Sequence, residues 1–276
     1  MLGTFLITWR DSLEAALVVG ILMTYLQKIG QSRNYKYIYF GTLTAIGVSL
    51  AFAYFSNRIA LLFQGGRQEV FEASILFLAV AVNTYMVIWM HHNAREIKGQ
   101  IQKQAELAMA QQRLFALALL TFVSVFREGV EAVLFLWGLF LQGGKATSTV
   151  LMLSGGLFGI GLAIFMAWLF FKGFGHLDLR LFFRITGVIL LFIAAGMLSS
   201  GVGKLSEIGW LPTLVEPFWN LSWLIDERGV LGSVLAGLFG YKSRPSLMEV
   251  LAYFSYFCLI FFWFRWQNLR TLVSGK

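Results

Sequence analysis

The stretch Phe126-Arg127-Glu128-Gly129-Val130-Glu131-Ala132 lies inside an apolar run that covers residues 114–141. Three full charges stand in the middle of a segment otherwise suited to lipid. A charge at bilayer depth costs roughly 2.5–3.5 kcal/mol on the lowest scales, so such residues mark a function or a partner. A second copy, Trp9-Arg10-Asp11-Ser12-Leu13-Glu14-Ala15, lies 117 residues earlier, and both copies read Arg-acid-x-x-Glu-Ala.

Around these motifs the chain is lipid-like. Of its 276 residues 58% are hydrophobic and 13% charged, with a mean hydropathy of +0.72. Soluble domains carry roughly 25% charged residues. Apolar runs of about 20 residues, the length of a helical span, make this an all-α integral membrane protein. The 27 Phe and nine Trp suit a lipid-facing surface. The net charge of +8 is assigned to cytoplasmic loops, and no nucleic-acid partner is expected. Cys258, the lone cysteine, lies in an apolar run and reads as packing; with three His, a zinc site of soft ligands is not expected. Arg10, Asp11 and Glu14 interrupt the first apolar segment, which argues against a cleaved signal peptide.

Seven transmembrane helices are predicted, at residues 3–26, 35–55, 69–90, 114–141, 150–171, 181–202 and 247–266. Thirteen Lys and Arg fall on one side, among them Lys28, Arg33, Arg95, Lys98, Arg113, Arg180 and Arg270, and seven on the other, including Arg58, Lys145, Lys204, Arg228 and Lys242. The excess of positive charge inside orients the chain N-out/C-in. The whole chain, 1–276, reads as a single membrane domain. It divides into a first three-helix repeat (1–92), a cytoplasmic amphipathic connector (93–112) and a second three-helix repeat (113–202). An external segment (203–246) and a seventh helix with its tail (247–276) follow. In the connector Ile97, Ile101 and Ala105 recur every four residues, the pattern of a helix with one apolar face. The external segment is too apolar for an ordinary loop and is predicted to hold re-entrant or interfacial helices, with Gly232, Ala236 and Gly240 as a close-packing face. Gly155 and Gly159 read as a similar small-residue contact.

Aligning 5–22 with 122–139 matches six of eighteen positions: Phe, Arg, Glu, Ala and two Leu. The copies lie three spans apart, in the first and the fourth, and that odd offset makes the repeat inverted in topology. Such repeats place substrate sites near the bilayer midplane. At 1.5 Å per helical residue, Glu14 lies about 16 Å and Glu131 about 15 Å below the outer surface, both near the middle of a core about 30 Å thick. Arg10 then falls roughly 6 Å outward of Glu14, and Arg127 roughly 6 Å inward of Glu131.

Positions i and i+3 or i+4 share a helix face. Asp11 with Glu14, and Glu128 with Glu131, therefore present carboxylates together, and Arg10 and Arg127 are placed to orient them. Four carboxylates and two guanidiniums leave a charge of −2, which attracts a cation. Oxygen-only ligands favour hard ions such as iron(III), manganese, magnesium or calcium. The bland alternative is a pair of buried ion bridges between helices. Glu69 and Glu72 repeat the i, i+3 acid pair at the outer start of the third span, as a possible external collecting site or as acids stabilised by a helix N-terminus. Asn83 and Thr84 either line a path or bond neighbouring helices. His91, His92 and His176 read as interfacial residues, and Glu207, Glu216, Asp226 and Glu227 as a solvated face.

The Arg127-Glu128-Gly129-Val130-Glu131 motif resembles the Arg-Glu-x-x-Glu signature of the oxidase-dependent, high-affinity iron permeases, of which bacterial EfeU-type and fungal permeases are branches. The resemblance extends to Gln68-Glu69-Val70-Phe71-Glu72 and to Phe239-Gly240-Tyr241, Pro245-Ser246 and Glu249. The first copy departs from it: Asp11-Ser12 stands where the family has Glu-Gly. The resemblance implies a permease, not an enzyme, in the cytoplasmic (inner) membrane. Its substrate is then iron, bound by motif glutamates, with no permanently bound cofactor. It also implies partner proteins of the oxidase or cupredoxin-like kind, outside the membrane. A homo-oligomer is left open. Rival readings are a permease for manganese or lead, an intramembrane glutamate-type hydrolase, for which no His lies deep in a span, and a membrane scaffold.

Overall fold

The computed structural model describes residues 2–60, 66–93, 97–110, 114–143, 149–172, 179–226 and 229–273. Among them every regular element is helical: α1 (Leu2–Lys28), α2 (Tyr35–Ala60), α3 (Gly66–Asn93), α4 (Ile97–Ala110), α5 (Leu114–Gly143), α6 (Thr149–Phe171), α7 (Leu179–Glu207), α8 (Val230–Phe239) and α9 (Leu247–Val273), with a short 3-10 turn at Ser32–Asn34. Arg95, Arg113, Lys145, His176, Glu227 and Arg228 lie outside the described residues, and of His91 and His92 only the helical backbone is described.

Each predicted span falls within one of these helices. Five of the helices, α2, α3, α6, α7 and α9, are long and apolar enough to cross a membrane. The other two long helices, α1 and α5, carry Arg10, Asp11 and Glu14, and Arg127, Glu128 and Glu131, so no stretch of span length in them is nearly free of charge. Apolar side chains cover the outside: Leu43 and Leu50 on α2, Leu157 and Phe158 on α6, and Leu259 and Phe262 on α9 are all well exposed. A soluble monomer rarely presents apolar surface on that scale.

The helices pair as α1 with α6, α2 with α5 and α3 with α7, while α1 and α5 cross each other and α9 lies against α7. Two of these pairings each use a glycine against the partner backbone, about one turn apart in the aligned copies. A Cβ on Gly159 of α6 would come within 2.7 Å of the Phe5 carbonyl oxygen of α1, and a Cβ on Gly41 of α2 within 3.1 Å of the Phe122 amide nitrogen of α5. Phe5 and Phe122 are matched positions of the two aligned copies. Only a residue without a side chain lets the backbones approach so closely. Thr8 Oγ1 uses the first of these approaches to donate to Gly156 O at 3.2 Å.

The core is layered along the bundle. One cluster joins α1, α3, α5 and α7 through Ile7, Leu76, Ala79, Phe135, Leu139 and Met197. A second, at the opposite end of α1 and α5, holds Leu22, Leu26, Ile38 and Leu117, and seats Ile101 and Ala105 of α4. The connector helix is thus packed onto the bundle and is more than a solvated link. The motif residues of α1 and α5 lie between these two layers in chain order.

One expectation is corrected. Cys258 is exposed on the outer face of α9, because the buried face of that helix is the one that carries Tyr256. The segment 203–246 begins as a continuation of α7 and holds α8 alone as regular structure among the described residues. It is laced to itself by Phe218 N donating to Pro245 O (2.8 Å) and Leu221 N to Ser243 O (2.9 Å). At the end of α8 the capping Gly240 abuts Gly196 of α7, and the Gly237 carbonyl oxygen faces Gly3 of α1. Ala236 instead accepts a hydrogen bond from Gln142 Nε2 at 3.4 Å.

Candidate functional site

The first motif is fully enclosed. Arg10 is 1% exposed, Asp11 2% and Glu14 6%. On one helical face four residues apart, Arg10 Nε lies 3.0 Å from Glu14 Oε1. Neither oxygen of Asp11 has a hydrogen-bond partner among the described residues. The second motif is enclosed on its acids only. Glu128 and Glu131 are buried, but the Arg127 side chain is 49% exposed. It grips its neighbour instead of sharing the face equally: Nη2 and Nε donate to Glu128 Oε1 at 2.6 and 3.0 Å, while Glu131 Oε1 is 3.6 Å away. Its guanidinium lies over the Trp89 ring, 5.4 Å from the centroid, a cation–π contact that holds it toward the end of α3.

The two motifs converge. Arg10 lies within electrostatic reach of Glu14, Asp11, Glu128 and Glu131, and Glu14 within reach of both acids of α5. All four predicted acids are therefore gathered in one buried neighbourhood with both arginines. One oxygen each of Glu128 and Glu131 is buried without a partner, as is Arg10 Nη1. Among the described residues no three such side chains stand together at metal-holding distance. Here Arg10 pairs with Glu14 and Arg127 with Glu128 and Glu131, while Asp11 is held by neither.

The glycine of the second motif has a local cause. A Cβ on Gly129 would meet Ser49 Oγ of α2 at 2.2 Å, and that hydroxyl is itself buried and unpartnered. Ser49 escaped the sequence reading; its one signal is a hydroxyl in an apolar span. In the first copy α1 meets Ala163 and Ala167 of α6 beside Leu13 and Leu17, and Ser12 is only half-buried.

Glu69 and Glu72 stand apart from this group. They are joined by Lys204 of α7, whose Nζ is 3.1 Å from Glu69 Oε2 and also contacts Glu72 Oε2. Lys204 was counted among loop charges; its partner Glu69 lies 135 residues away in sequence. Asn83 and Thr84 bond neighbouring helices, through Asn83 Nδ2 to Leu190 O (2.9 Å) and Thr84 Oγ1 with the Tyr256 hydroxyl (2.7 Å).

A bundle of long apolar helices around a buried group of acids and arginines defines a multi-pass membrane protein. Residues 1–271 match the iron permease FTR1 family. Relatives include proteins named ferrous iron permease EfeU from Escherichia coli O157:H7, 31% identical over 93% of this chain and 92% of the relative, and from Yersinia pestis, 31% identical over 93% and 90%. An uncharacterised protein of Archaeoglobus fulgidus is 34% identical over 93% and 91%. No solved structure matches. The chain belongs to the iron permease FTR1 family and is a transporter rather than an enzyme.

Proposed function

We propose that the chain carries iron inward across the cytoplasmic membrane through a mid-depth site built from Asp11, Glu14, Glu128 and Glu131. The observation behind this reading is Asp11, a buried carboxylate with neither oxygen hydrogen-bonded, beside three more acids. An unsatisfied buried polar group costs about 1–3 kcal/mol, and a charged one more. A multivalent cation satisfies several such groups at once. Loading exchanges arginine–glutamate pairs for ion–glutamate bonds, with Arg10 and Arg127 turning to the rear oxygens and fixing the ligands' orientation. The membrane potential suffices as driving force: at 2.3 kcal/mol per charge per 100 mV, a trivalent ion gains roughly 7 kcal/mol.

The architecture proposed around this site has seven spans, N-terminus outside and C-terminus in the cytoplasm, with three plus three helices related by an inverted repeat. The pairing of α1 with α6 against that of α5 with α2 supports this, because an inverted repeat that exchanges α1 with α5 also exchanges α6 with α2. Glu69 and Glu72 collect the ion on the outer side. The oxygen donors suit iron(III), supplied by an external oxidase or cupredoxin-like partner, whereas the E. coli and Yersinia relatives are named for ferrous iron. The rival is another metal cation, manganese or lead: oxygen donors do not separate these from iron, and Asp11 departs from the family's Glu.

The experiment is radioactive iron uptake in cells lacking other iron importers. Iron is supplied either reduced under ascorbate or oxidised, with manganese and lead as competitors. Glu14→Gln and Glu131→Gln are expected to lose uptake while reaching the membrane at normal levels. Normal transport in either variant sinks the mid-depth site. Uptake from the reduced supply alone sinks the iron(III) assignment.

A further inference from the structure

Lys204 sits in the last turn of α7, and its ammonium bridges the two acids at the start of α3, Glu69 and Glu72. Gln68 Nε2 donates to the other oxygen of Glu72 at 2.8 Å. An ammonium shared by carboxylates three residues apart occupies the place of a metal ion held by that pair. The backbone under this lysine is pinned. Glu249 Oε1 fills the space beside Gly203, 2.2 Å from where a Cβ would be. Glu249 is in turn held by Lys242 Nζ (2.5 Å) and by Ser246 N (2.8 Å). The end of α7 is thus fixed by a second ion pair, while the four-carbon stem of Lys204 keeps its own freedom to swing. One turn deeper on α7, Ser200 is 5% exposed and its hydroxyl is buried without a partner.

We propose that Lys204 is a tethered competitor for the Glu69–Glu72 pair and sets the charge an ion needs in order to be accepted. This rests on the reading that these two acids receive the ion from outside. A tethered group acts at an effective concentration of millimolar or above, so monovalent ions and weakly bound divalent ions fail to displace it. Coulomb attraction scales with charge; a trivalent ion at the same point gains about three times the attraction of the ammonium and displaces it. Ion and ammonium repel, so occupancy is exclusive, and Lys204 acts as a specificity-determining residue without being a ligand. Ser200 offers an oxygen to the ion one turn further in.

The test is iron uptake into proteoliposomes, with KM and Vmax measured separately and calcium as the inhibitor. Lys204→Gln is expected to lower KM several-fold at unchanged Vmax, because the tethered competitor is gone, and to make uptake sensitive to calcium. Lys204→Arg is expected to do the reverse, raising KM, because a guanidinium grips carboxylates in two-point fashion. Unchanged KM and calcium insensitivity in Lys204→Gln overturn the proposal. So does a fall in Vmax at constant KM in both variants, which marks a structural role. If the glutamine variant fails to reach the membrane, a KM at or below normal in Lys204→Arg overturns it alone. A normal KM in a Glu69→Gln/Glu72→Gln double variant removes the outer acceptor itself. Persistent uptake in Glu14→Gln sinks only the mid-depth site.

Discussion

At Asp11 both carboxylate oxygens are buried and unbonded among the described residues, while Glu14 has Arg10 at 3.0 Å and Glu128 is gripped by Arg127. A buried charge without a partner is destabilising, and sites that keep one sacrifice stability for function. Asp11→Asn removes the charge at nearly constant volume. Its expected signature is a split: iron uptake falls, while the metal-free protein in detergent melts at a higher temperature, in line with about 1–3 kcal/mol for the relieved group. A variant that transports normally, or that melts lower, refutes the assignment of Asp11 to the ion. The acids and arginines were legible in the sequence because any charge inside an apolar span stands out. Ser49, the Trp89 contact of Arg127 and the bridge of Lys204 were not. Each depends on which helices lie side by side, and no spacing within one helix carries that information. The unequal burial of the two arginines was hidden for the same reason, since Arg10 and Arg127 have matching places in their motifs.

Helix positions were the most legible feature. Apolar runs near 20 residues leave few alternatives in a bilayer, and the predicted spans fall inside α1, α2, α3, α5, α6, α7 and α9. The segment 203–246 was less so, because its apolar residues are shared between α8 and turns that have no period to read. Gly159 was recognised as a contact from its spacing with Gly155, but Gly41, which has the buried Ala45 four residues on, was not. In the structure both abut the backbone of the partner helix, and that yields a prediction. Gly41→Val and Gly159→Val each force a side chain into a neighbouring backbone, at a cost of about 1–3 kcal/mol for overpacking. Both are expected to lower the melting temperature by similar amounts. Gly47→Val on α2, where nothing lies within 4 Å, is the control and should leave it unchanged. A harmless Gly41→Val would mean that the α2–α5 approach does not support the bundle.

On the scale of the whole molecule the two ends of the bundle differ. Next to the motif acids, toward the N-terminal end of α1 and the C-terminal end of α5, lies the layer of Ile7, Leu76, Phe135 and Met197, each at most 1% exposed. On the other side Arg127 is half-exposed and rests on Trp89. Packed apolar interiors admit neither water nor ions without rearrangement. The motif acids are therefore shut off from the proposed outside, and the one motif residue that reaches the surface, Arg127, does so on the side assigned to the cytoplasm. Alternating access requires the apolar layer to part while the Arg127 side closes. The lone cysteine allows a direct check. With Cys258 replaced by Ser, Arg127→Cys should react with a membrane-impermeant maleimide in inside-out vesicles and stay protected in right-side-out ones, and Phe135→Cys should be protected in both. Adding iron to right-side-out vesicles should raise labelling of Phe135→Cys, because outward opening exposes that layer to the ion's route. Labelling of Arg127→Cys from the outer face would reverse the proposed orientation, and free labelling of Phe135→Cys without iron would remove the apolar layer as a barrier.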